Sequence, residues 1–292
     1  MKLRGIDFPD IYIQAGASRL LWARLYPRLG QVSQTLSLFA GGGSSRRKIY
    51  LGAGTVVANG VPKKTNFKKY LHAFLKKTAT SPMILSLVSL GDTKEARMQG
   101  WQECLDCMRA YKETQTEPYG IELDFSWPTD AFDQNELSDE IREAVVCMSS
   151  LSVPLVLKVS ILMSPDTLAD LMQLDALDAL SVGESIPWRA FPEDAKKVFF
   201  RTTKAPFTVD GGGRVSGKYI LHLANEWIKQ VRRAGMRKPI LSGAGLLEPK
   251  NISEMHEAGV TAFVLSSALA VRPWLVPRII VSLRAHEHKN NS

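Results

Sequence analysis

Residues 154–160 read Pro-Leu-Val-Leu-Lys-Val-Ser, a nearly continuous apolar run that one charged residue, Lys158, interrupts. Strands that are covered by helices on one side and by the core on the other have this pattern, whereas half-exposed strands alternate apolar and polar residues. The stretch therefore predicts a buried strand of a parallel sheet.

The same kind of run recurs along the chain, at 11–17, 32–38, 82–88, 119–125, 179–182, 239–245 and 262–269. Between these runs, apolar residues recur at helical spacing in the segments 19–29, 66–78, 93–113, 138–149, 165–174, 218–234 and 249–258. Asp92 and Ser138 are predicted to begin helices, and Gly235 and Gly259 to end them. About eight strand–helix units without a linker predict an α/β fold, a single (β/α)8 TIM barrel over residues 1–292. An open doubly wound sheet is the alternative.

Two predicted connections are longer than usual. Residues 41–61, rich in Gly and basic side chains, follow the second predicted strand, and residues 184–214 follow the sixth. Long loops in compact domains usually carry function. Because both follow the carboxyl ends of strands, where barrel active sites are built, we expect them at the catalytic face.

The charge of the chain is unevenly distributed. The net charge is +8, and residues 1–80 alone hold 14 Lys and Arg against only Asp7 and Asp10. No aromatic residues alternate with these lysines, which argues against a nucleic-acid partner and favours a solvated face beside an anionic ligand. No apolar run approaches the roughly 18 residues of a membrane span, and residues 1–7 lack the apolar core of a secretion signal. With three cysteines and no metal-ligand spacing among the histidines, we expect a cytoplasmic protein without a metal.

A glycine-rich segment, Gly-Gly-Gly-Arg-Val-Ser-Gly-Lys at 211–218, precedes a predicted helix. Main-chain N–H groups at a helix N-terminus suit a phosphate. Tyr219 stands where a nucleoside-triphosphate loop needs a magnesium-binding Ser or Thr, which disfavours that class. The turns Ser-Gly-Ala-Gly at 242–245 and Ser-Ser at 266–267 end the seventh and eighth predicted strands, where barrels commonly bind phosphate. Together these turns predict a phosphate-bearing ligand, with plain flexible turns as the alternative.

Charged residues also stand inside two adjacent predicted strands. Asp124 and Glu122 are two positions apart, so they share one face of the fourth strand, and Lys158 lies in the fifth. Burying a lone charge costs several kcal/mol, so such residues must be paired or face a polar ligand. We expect Asp124 and Lys158 within reach of each other, either as a structural ion pair or as a ligand-facing pair.

These motifs resemble the class 1 dihydroorotate dehydrogenase family, whose members are FMN-containing (β/α)8 barrels. Nearly the whole chain takes part: residues 13–17 resemble the first-strand flavin segment, 121–128 the fourth-strand motif, 154–160 the fifth strand, 212–218 a Gly-Gly-x-Ser-Gly loop and 239–268 the segment around the FMN phosphate. The resemblance implies a cofactor site made of Ala15, Gly16, Lys158, Ser216, Gly217, Gly243, Ala244, Gly245, Ser266 and Ser267. It also implies Lys158, Asp124 and Ser126 as catalytic residues, with Lys158 against the flavin ring, and a homodimer.

Several positions differ from the family's substrate motif. Asp124 and Thr129 replace two asparagines, Trp127 replaces the cysteine general base, Gln34 replaces a lysine and Glu184 replaces a further asparagine. Indole has no basic site, so Trp127 cannot abstract a proton. Replacing Asn by Asp also turns an amide donor into an acceptor, which repels a carboxylate substrate. We therefore expect little oxidation of dihydroorotate, the pyrimidine-biosynthesis substrate of the family.

The resemblance leaves a main function and two alternatives. The main one is an FMN-dependent oxidoreductase that transfers hydride between a small-molecule substrate and the flavin. The first alternative is a non-catalytic barrel that binds flavin or another phosphate-bearing ligand and acts as a partner protein. The second is a barrel enzyme without redox chemistry that acts on a phosphorylated metabolite.

Overall fold

The computed structural model describes residues 1–14, 30–32, 36–37, 49–52, 55–58, 82–113, 118–126, 134–207 and 212–290. The strands among them are β1 (Lys2–Leu3), β2 (Ile6–Asp7), β3 (Ile11–Gln14), β4 (Gly30–Val32), β5 (Leu36–Ser37), β6 (Ile49–Gly52), β7 (Thr55–Ala58), β8 (Met83–Val88), β9 (Tyr119–Asp124), β10 (Leu155–Val159), β11 (Ala179–Val182), β12 (Ser185–Pro187), β13 (Arg214–Gly217), β14 (Ile240–Ser242) and β15 (Ala262–Leu265). The helices are α1 (Lys94–Lys112), α2 (Gln134–Ser149), α3 (Pro165–Leu171), α4 (Glu193–Phe200), α5 (Lys218–Arg233), α6 (Asn251–Ala258), α7 (Ser267–Val271) and α8 (Val276–Asn290).

A curled parallel sheet forms the centre of the fold. Its strands follow the order β4, β3, β15, β14, β11, β10, β9, β8, β5, and β4 pairs with β8 as well as with β3. Helices pack around it, with α1 against α2, α3 against α5 and α5 against α6. The predicted α/β class and the TIM-like arrangement are confirmed. The curl does not agree with an open doubly wound sheet.

The amino end of the sheet interior is apolar. Side chains from six strands pack together there: Tyr12, Ile84, Val156, Ala179, Leu241, Ala262 and Val264. Leu3 and Phe8, from the antiparallel β1–β2 pair and the residue after it, join this cluster. The Phe8 ring lies 3.4 Å from the place where a Cβ on Gly120 would stand. The N-terminal segment therefore closes this end of the sheet.

The carboxyl end of the interior is polar. Side chains alternate along a strand, so a residue two positions further on points to the same face. On this face Ile84 is followed by Ser86, Val156 by Lys158 and Ala179 by Ser181. These polar side chains, with Glu122 and Asp124 of β9, are buried. We call this end of the interior, lined by Ser86, Glu122, Asp124, Lys158 and Ser181, the mouth.

A second sheet lies at the mouth. The segments 41–61 and 184–214, predicted as irregular loops, contain β6, β7 and β12, and β13 begins at Arg214. These four strands form an antiparallel sheet in the order β12, β13, β7, β6. Arg214 Nη2 donates to the Ser126 carbonyl oxygen, 3.0 Å away, at the carboxyl end of β9. We call these strands the mouth sheet.

Several helix boundaries differ from the sequence prediction. Thr93, rather than Asp92, caps α1, because its Oγ1 accepts a hydrogen bond from the Ala96 N–H at 3.2 Å. Helix α2 begins at Gln134, before the predicted Ser138. The predicted strand 262–269 ends at Leu265, and helices α7 and α8 follow. The predicted helices 19–29 and 66–78 lie outside the described residues.

Candidate functional site

Lys158 is the centre of a buried charge cluster. In the register of β9 and β10 it stands beside Asp124. Its Nζ lies 3.3 Å from Asp124 Oδ2 and 3.3 Å from Glu122 Oε1. The predicted proximity of Asp124 and Lys158 is confirmed, and Glu122 is a second partner. Glu122 and Asp124 both point to the interior face because they are two positions apart in β9. Lys158 points to the same face from β10.

Serine hydroxyls hold the two carboxylates. Ser86 Oγ donates to Glu122 Oε1 at 2.6 Å. Ser126 Oγ donates to Asp124 Oδ1 at 2.6 Å, and the Ser126 N–H donates to the same oxygen at 3.0 Å. Ser126, a predicted catalytic residue, therefore positions Asp124 in this structure.

The environment keeps Lys158 charged. Burial disfavours an ammonium and by itself lowers the pKa of Lys158, but the negative charges of Asp124, Glu122 and Glu184 outweigh this effect and raise it. Lys158 thus contributes a fixed positive charge to the mouth, with carboxylates on both sides of it.

Glu184 is a functional candidate that the sequence named only as a departure from the family. It follows β11, and its Oε2 accepts a hydrogen bond from Ser266 Oγ. Its Oε1 lies 2.6 Å from where a Cβ on Gly243 would stand. Burial raises the pKa of Glu184 to about 7, with Lys158 and Ser266 opposing the increase and the charges of Glu122 and Asp124 adding to it.

The predicted phosphate-binding turns come together beside this cluster. A Cβ on Gly245 would lie 2.8 Å from the Gly217 carbonyl oxygen, and helix α7, which begins at Ser267, contacts β13. We call Gly217, Gly243, Gly245, Ser266 and Ser267 the glycine–serine cradle.

The other predicted cofactor residues have different surroundings. Ser216 lies within β13, in register with Ser185 and Val56 of the mouth sheet. Ala244 is buried, and its N–H donates to Ser242 Oγ at 3.3 Å. Ala15 and Gly16 lie outside the described residues.

Positive φ angles explain why two positions of the cradle are occupied by glycine. Gly217, at φ +104°, immediately precedes α5, and Gly245 has φ +74°. At Gly245 a Cβ would also approach Leu221 N to 2.6 Å. Any residue other than glycine would be strained there, because φ is positive and because its Cβ would collide with neighbouring atoms. Within the glycine-rich segment, strand β13 (Arg214–Gly217) thus turns sharply into helix α5.

A cleft of about 250 Å³ adjoins the cradle. It shares Gly245 with the cradle and is also lined by Lys218 and Arg272. Arg272 Nη1 bonds to Glu248 Oε1. Glu248 and Glu254 line the same cleft, so cationic and acidic side chains both stand beside the main chain that was predicted to hold a phosphate.

Comparison with known proteins does not show which family this chain belongs to. No protein-family model and no curated protein matches this chain. In the part of the chain that the structure describes, no helix is long and apolar enough to cross a membrane. Among the same residues, no group of His, Cys, Asp and Glu side chains could hold a metal ion.

The residues fit an FMN-like group in part. Gly217 and Gly245 are in close main-chain contact and Lys218 lines the adjoining cleft, which suits a phosphate, whereas Arg272 of the same cleft is already paired with Glu248. Ser266 differs, because its hydroxyl already bonds to Glu184. Trp127 and Thr129 of the substrate motif, like Gln34, lie outside the described residues.

Proposed function

We propose that this chain is an FMN-dependent oxidoreductase in which hydride passes between a small-molecule substrate and the flavin at the mouth. A complete (β/α)8 barrel over residues 1–292 is part of this proposal. The observation that carries it is a lysine ammonium buried at the carboxyl end of a parallel sheet, beside a glycine–serine cradle. Ligands of such sheets bind at this end. Flavin, when bound, supplies the hydride chemistry.

Each part of the site has a role in the proposal. The cradle residues Gly217, Gly245 and Ser267 hold the phosphate through main-chain donors. Lys158 would supply a positive charge beside a bound flavin and so would stabilise negative charge there, and Asp124 and Glu122 orient its ammonium. The mouth sheet, fixed to β9 through Arg214, limits the access of water.

One observation favours the non-catalytic alternative. Lys158, Glu122 and Asp124 are paired with each other, as they are in a structural ion cluster. In that case the chain binds a phosphate-bearing ligand at the cradle and acts as a partner protein. A yellow protein that no electron donor reduces would favour this alternative.

The absorption spectrum of the purified protein tests the proposal. We expect about one FMN per chain, either as purified or after incubation with FMN, together with a rise in melting temperature. Gly245→Ala should abolish FMN binding, because its Cβ would collide with Leu221 and the Gly217 carbonyl. Gly235→Ala is the matched control: Gly235 also has positive φ, but no atom lies within 4 Å of its Cβ position.

The outcomes separate the candidate functions. Loss of FMN binding in both glycine variants would point to backbone strain rather than to the cradle. A protein that takes up no FMN and shows no thermal shift contradicts the proposal. Anaerobic bleaching of bound flavin by dithionite, with little bleaching by dihydroorotate, would agree with an oxidoreductase for a different substrate.

A further inference from the structure

The cleft beside the cradle lies between helices α5 and α6. Lys218, Leu221 and His222 of α5 line it, together with Asn251 and Glu254 of α6. Its volume, about 250 Å³, is below the roughly 300–1,000 Å³ of sites that enclose a whole drug-sized ligand. The cleft therefore suits one chemical group of a ligand, or a small ion, rather than a complete cofactor.

Asn251 presents an amide donor to this cleft. The residue is only 7% exposed, and its Oδ1 accepts from the Leu247 N–H at 3.3 Å and from the Glu248 N–H at 3.0 Å. These two bonds determine which end of the carboxamide is the oxygen, and the NH₂ group takes the other end. Within the described part of the chain, no group accepts a hydrogen bond from this Nδ2. Buried amides normally donate, so this NH₂ group is available to a ligand.

The first turn of α5 adds positive charge to the same cleft. Lys218 begins this 16-residue helix and is exposed, and no carboxylate of the described residues pairs with its ammonium. Gly217, which precedes it, has no side chain to cap the helix. The first main-chain N–H groups of a helix lack partners within it and attract anions. His222 lies one turn further along the same face.

The acidic side chains of the cleft do not cancel this charge. Glu248 is held by two cations, because its Oε1 bonds to Arg272 and its Oε2 lies 3.0 Å from Lys250 Nζ. Glu254 is exposed to water on α6, one turn after Asn251, and water weakens the effect of an exposed charge. Among the described lining residues, three Lys and Arg side chains stand against two carboxylates. The lining therefore carries a net positive charge.

We infer that this cleft binds a phosphoryl group separate from the one assigned to the cradle, an inference that rests on the proposed function for what the cradle holds. A phosphoryl group accepts several hydrogen bonds at once, and the Asn251 amide, the Lys218 ammonium and the first turn of α5 supply donors. Gly245 borders both the cleft and the cradle, so the two phosphoryl groups are neighbours. The second group belongs either to a dinucleotide that continues from the cradle or to a separate phosphorylated molecule.

Calorimetric titration of the FMN-loaded protein with inorganic phosphate tests the inference, and we expect one phosphate per chain. Asn251→Asp keeps the oxygen that accepts from the main chain but replaces the amide donor by a charged oxygen. It should weaken phosphate binding by about 10- to 100-fold, the loss expected for a hydrogen bond to a charged group, and leave FMN retention unchanged. Gln230→Glu is the matched control, because it makes the same change of charge at an exposed position of α5.

A second variant keeps the test decisive if Asn251→Asp folds poorly. Lys218→Gln alters an exposed side chain and should weaken phosphate binding by about two- to fivefold, as for an exposed ion pair. Lys204→Gln, at another exposed position, is its control and should have no effect.

Titration with FAD identifies the source of the phosphoryl group. If FAD binds the wild type more tightly than FMN does, and Asn251→Asp removes this gain, the group belongs to a dinucleotide. If the FMN-loaded protein binds phosphate and FAD has no advantage over FMN, the group belongs to a separate molecule. Both results support the inference.

Three results overturn the inference. The first is an FMN-loaded protein that binds no phosphate, together with no advantage of FAD over FMN. The second is an equal loss of phosphate binding in Asn251→Asp and Gln230→Glu. The third is displacement of phosphate by FMN, which would show that cleft and cradle are one site. A wild type that binds phosphate through Asn251 but binds no FMN instead overturns the proposed function.

Discussion

At the scale of single residues, the mouth depends on the balance around Lys158. Two carboxylates lie 3.3 Å from one ammonium, so the cluster of Lys158, Glu122 and Asp124 carries more negative than positive charge. Removing the cation from such a site leaves buried carboxylates without compensation. Removing both signs of charge leaves mainly a packing change.

We expect Lys158→Met to lower the free energy of unfolding by about 3–5 kcal/mol, because it leaves Glu122 and Asp124 buried without their cation. Adding Glu122→Gln and Asp124→Asn to Lys158→Met should restore much of this loss. Urea unfolding of the single and combined variants measures both effects. If the combined variant is no more stable than Lys158→Met, Lys158 does not stabilise the fold by compensating Glu122 and Asp124.

At the scale of elements, an arginine of the mouth sheet binds the carboxyl end of β9. Arg214 Nη2 donates to the carbonyl oxygens of Ser126 and Ser185, and its Nε donates to Ser185 Oγ at 3.0 Å. Arg214 is only 8% exposed. It therefore links β12 and β13 to the carboxyl end of β9.

Arg214→Ala should loosen the mouth sheet while the parallel sheet stays formed, because each buried acceptor left unpaired costs about 1–3 kcal/mol. Hydrogen exchange should become faster at residues 185–186 and 214–217 and stay unchanged in β10. Arg233→Ala, an exposed position at the end of α5, is the control. Equal acceleration in β10 would show instead that Arg214 stabilises the whole fold.

The sequence predicted some elements better than others, for physical reasons. Strands β9, β10 and β11 were predicted within about one residue of each end, because buried runs of apolar residues stand out locally. The mouth sheet was missed, since its strands have at most four residues and β12 pairs with β13 across a long separation. A local signal did exist in the two residues between Gly52 and Thr55, a spacing typical of a hairpin.

The site was also predictable only in part. Lys158 and Asp124 could be paired because adjacent strands and alternation determine their faces. The bond from Ser266 to Glu184 joins residues 82 positions apart and depends on the curl of the sheet. No periodicity in the sequence encodes such a contact.

At the scale of the whole molecule, the N-terminal segment closes the amino end of the interior. Phe8 is 3% exposed and packs in the cluster that contains Tyr12, Val156 and Leu241. Its ring and the Pro154 Cβ lie beside Gly120, 3.4 Å and 3.6 Å from the place where a Cβ on that glycine would stand. The stability of the curled sheet therefore depends partly on a residue outside the sheet.

Phe8→Ala should lower the free energy of unfolding by about 3–5 kcal/mol, through lost burial and a cavity next to the strands. Phe8→Leu should cost less, because it refills much of the space. Thermal and urea unfolding measure both changes, with FMN uptake recorded alongside. A Phe8→Ala variant as stable as the wild type would show that the N-terminal segment does not support the core.

The sheet interior has an apolar amino end and a polar carboxyl end, and this division affects which substitutions the protein can accept during evolution. The apolar level is supplied by residues such as Ile84 and Val156, and the polar level by Ser86 and Lys158 on the same strands. The apolar residues that pack the amino end and the polar residues that line the mouth occupy different positions. Point substitutions at Ser86 or Ser181 therefore alter the lining of the mouth and leave the apolar contacts in place. Such a separation makes the molecule evolvable: a library that varies Ser86 and Ser181 and keeps the ion cluster of Lys158, Glu122 and Asp124 changes the lining of the mouth without altering the apolar end of the interior.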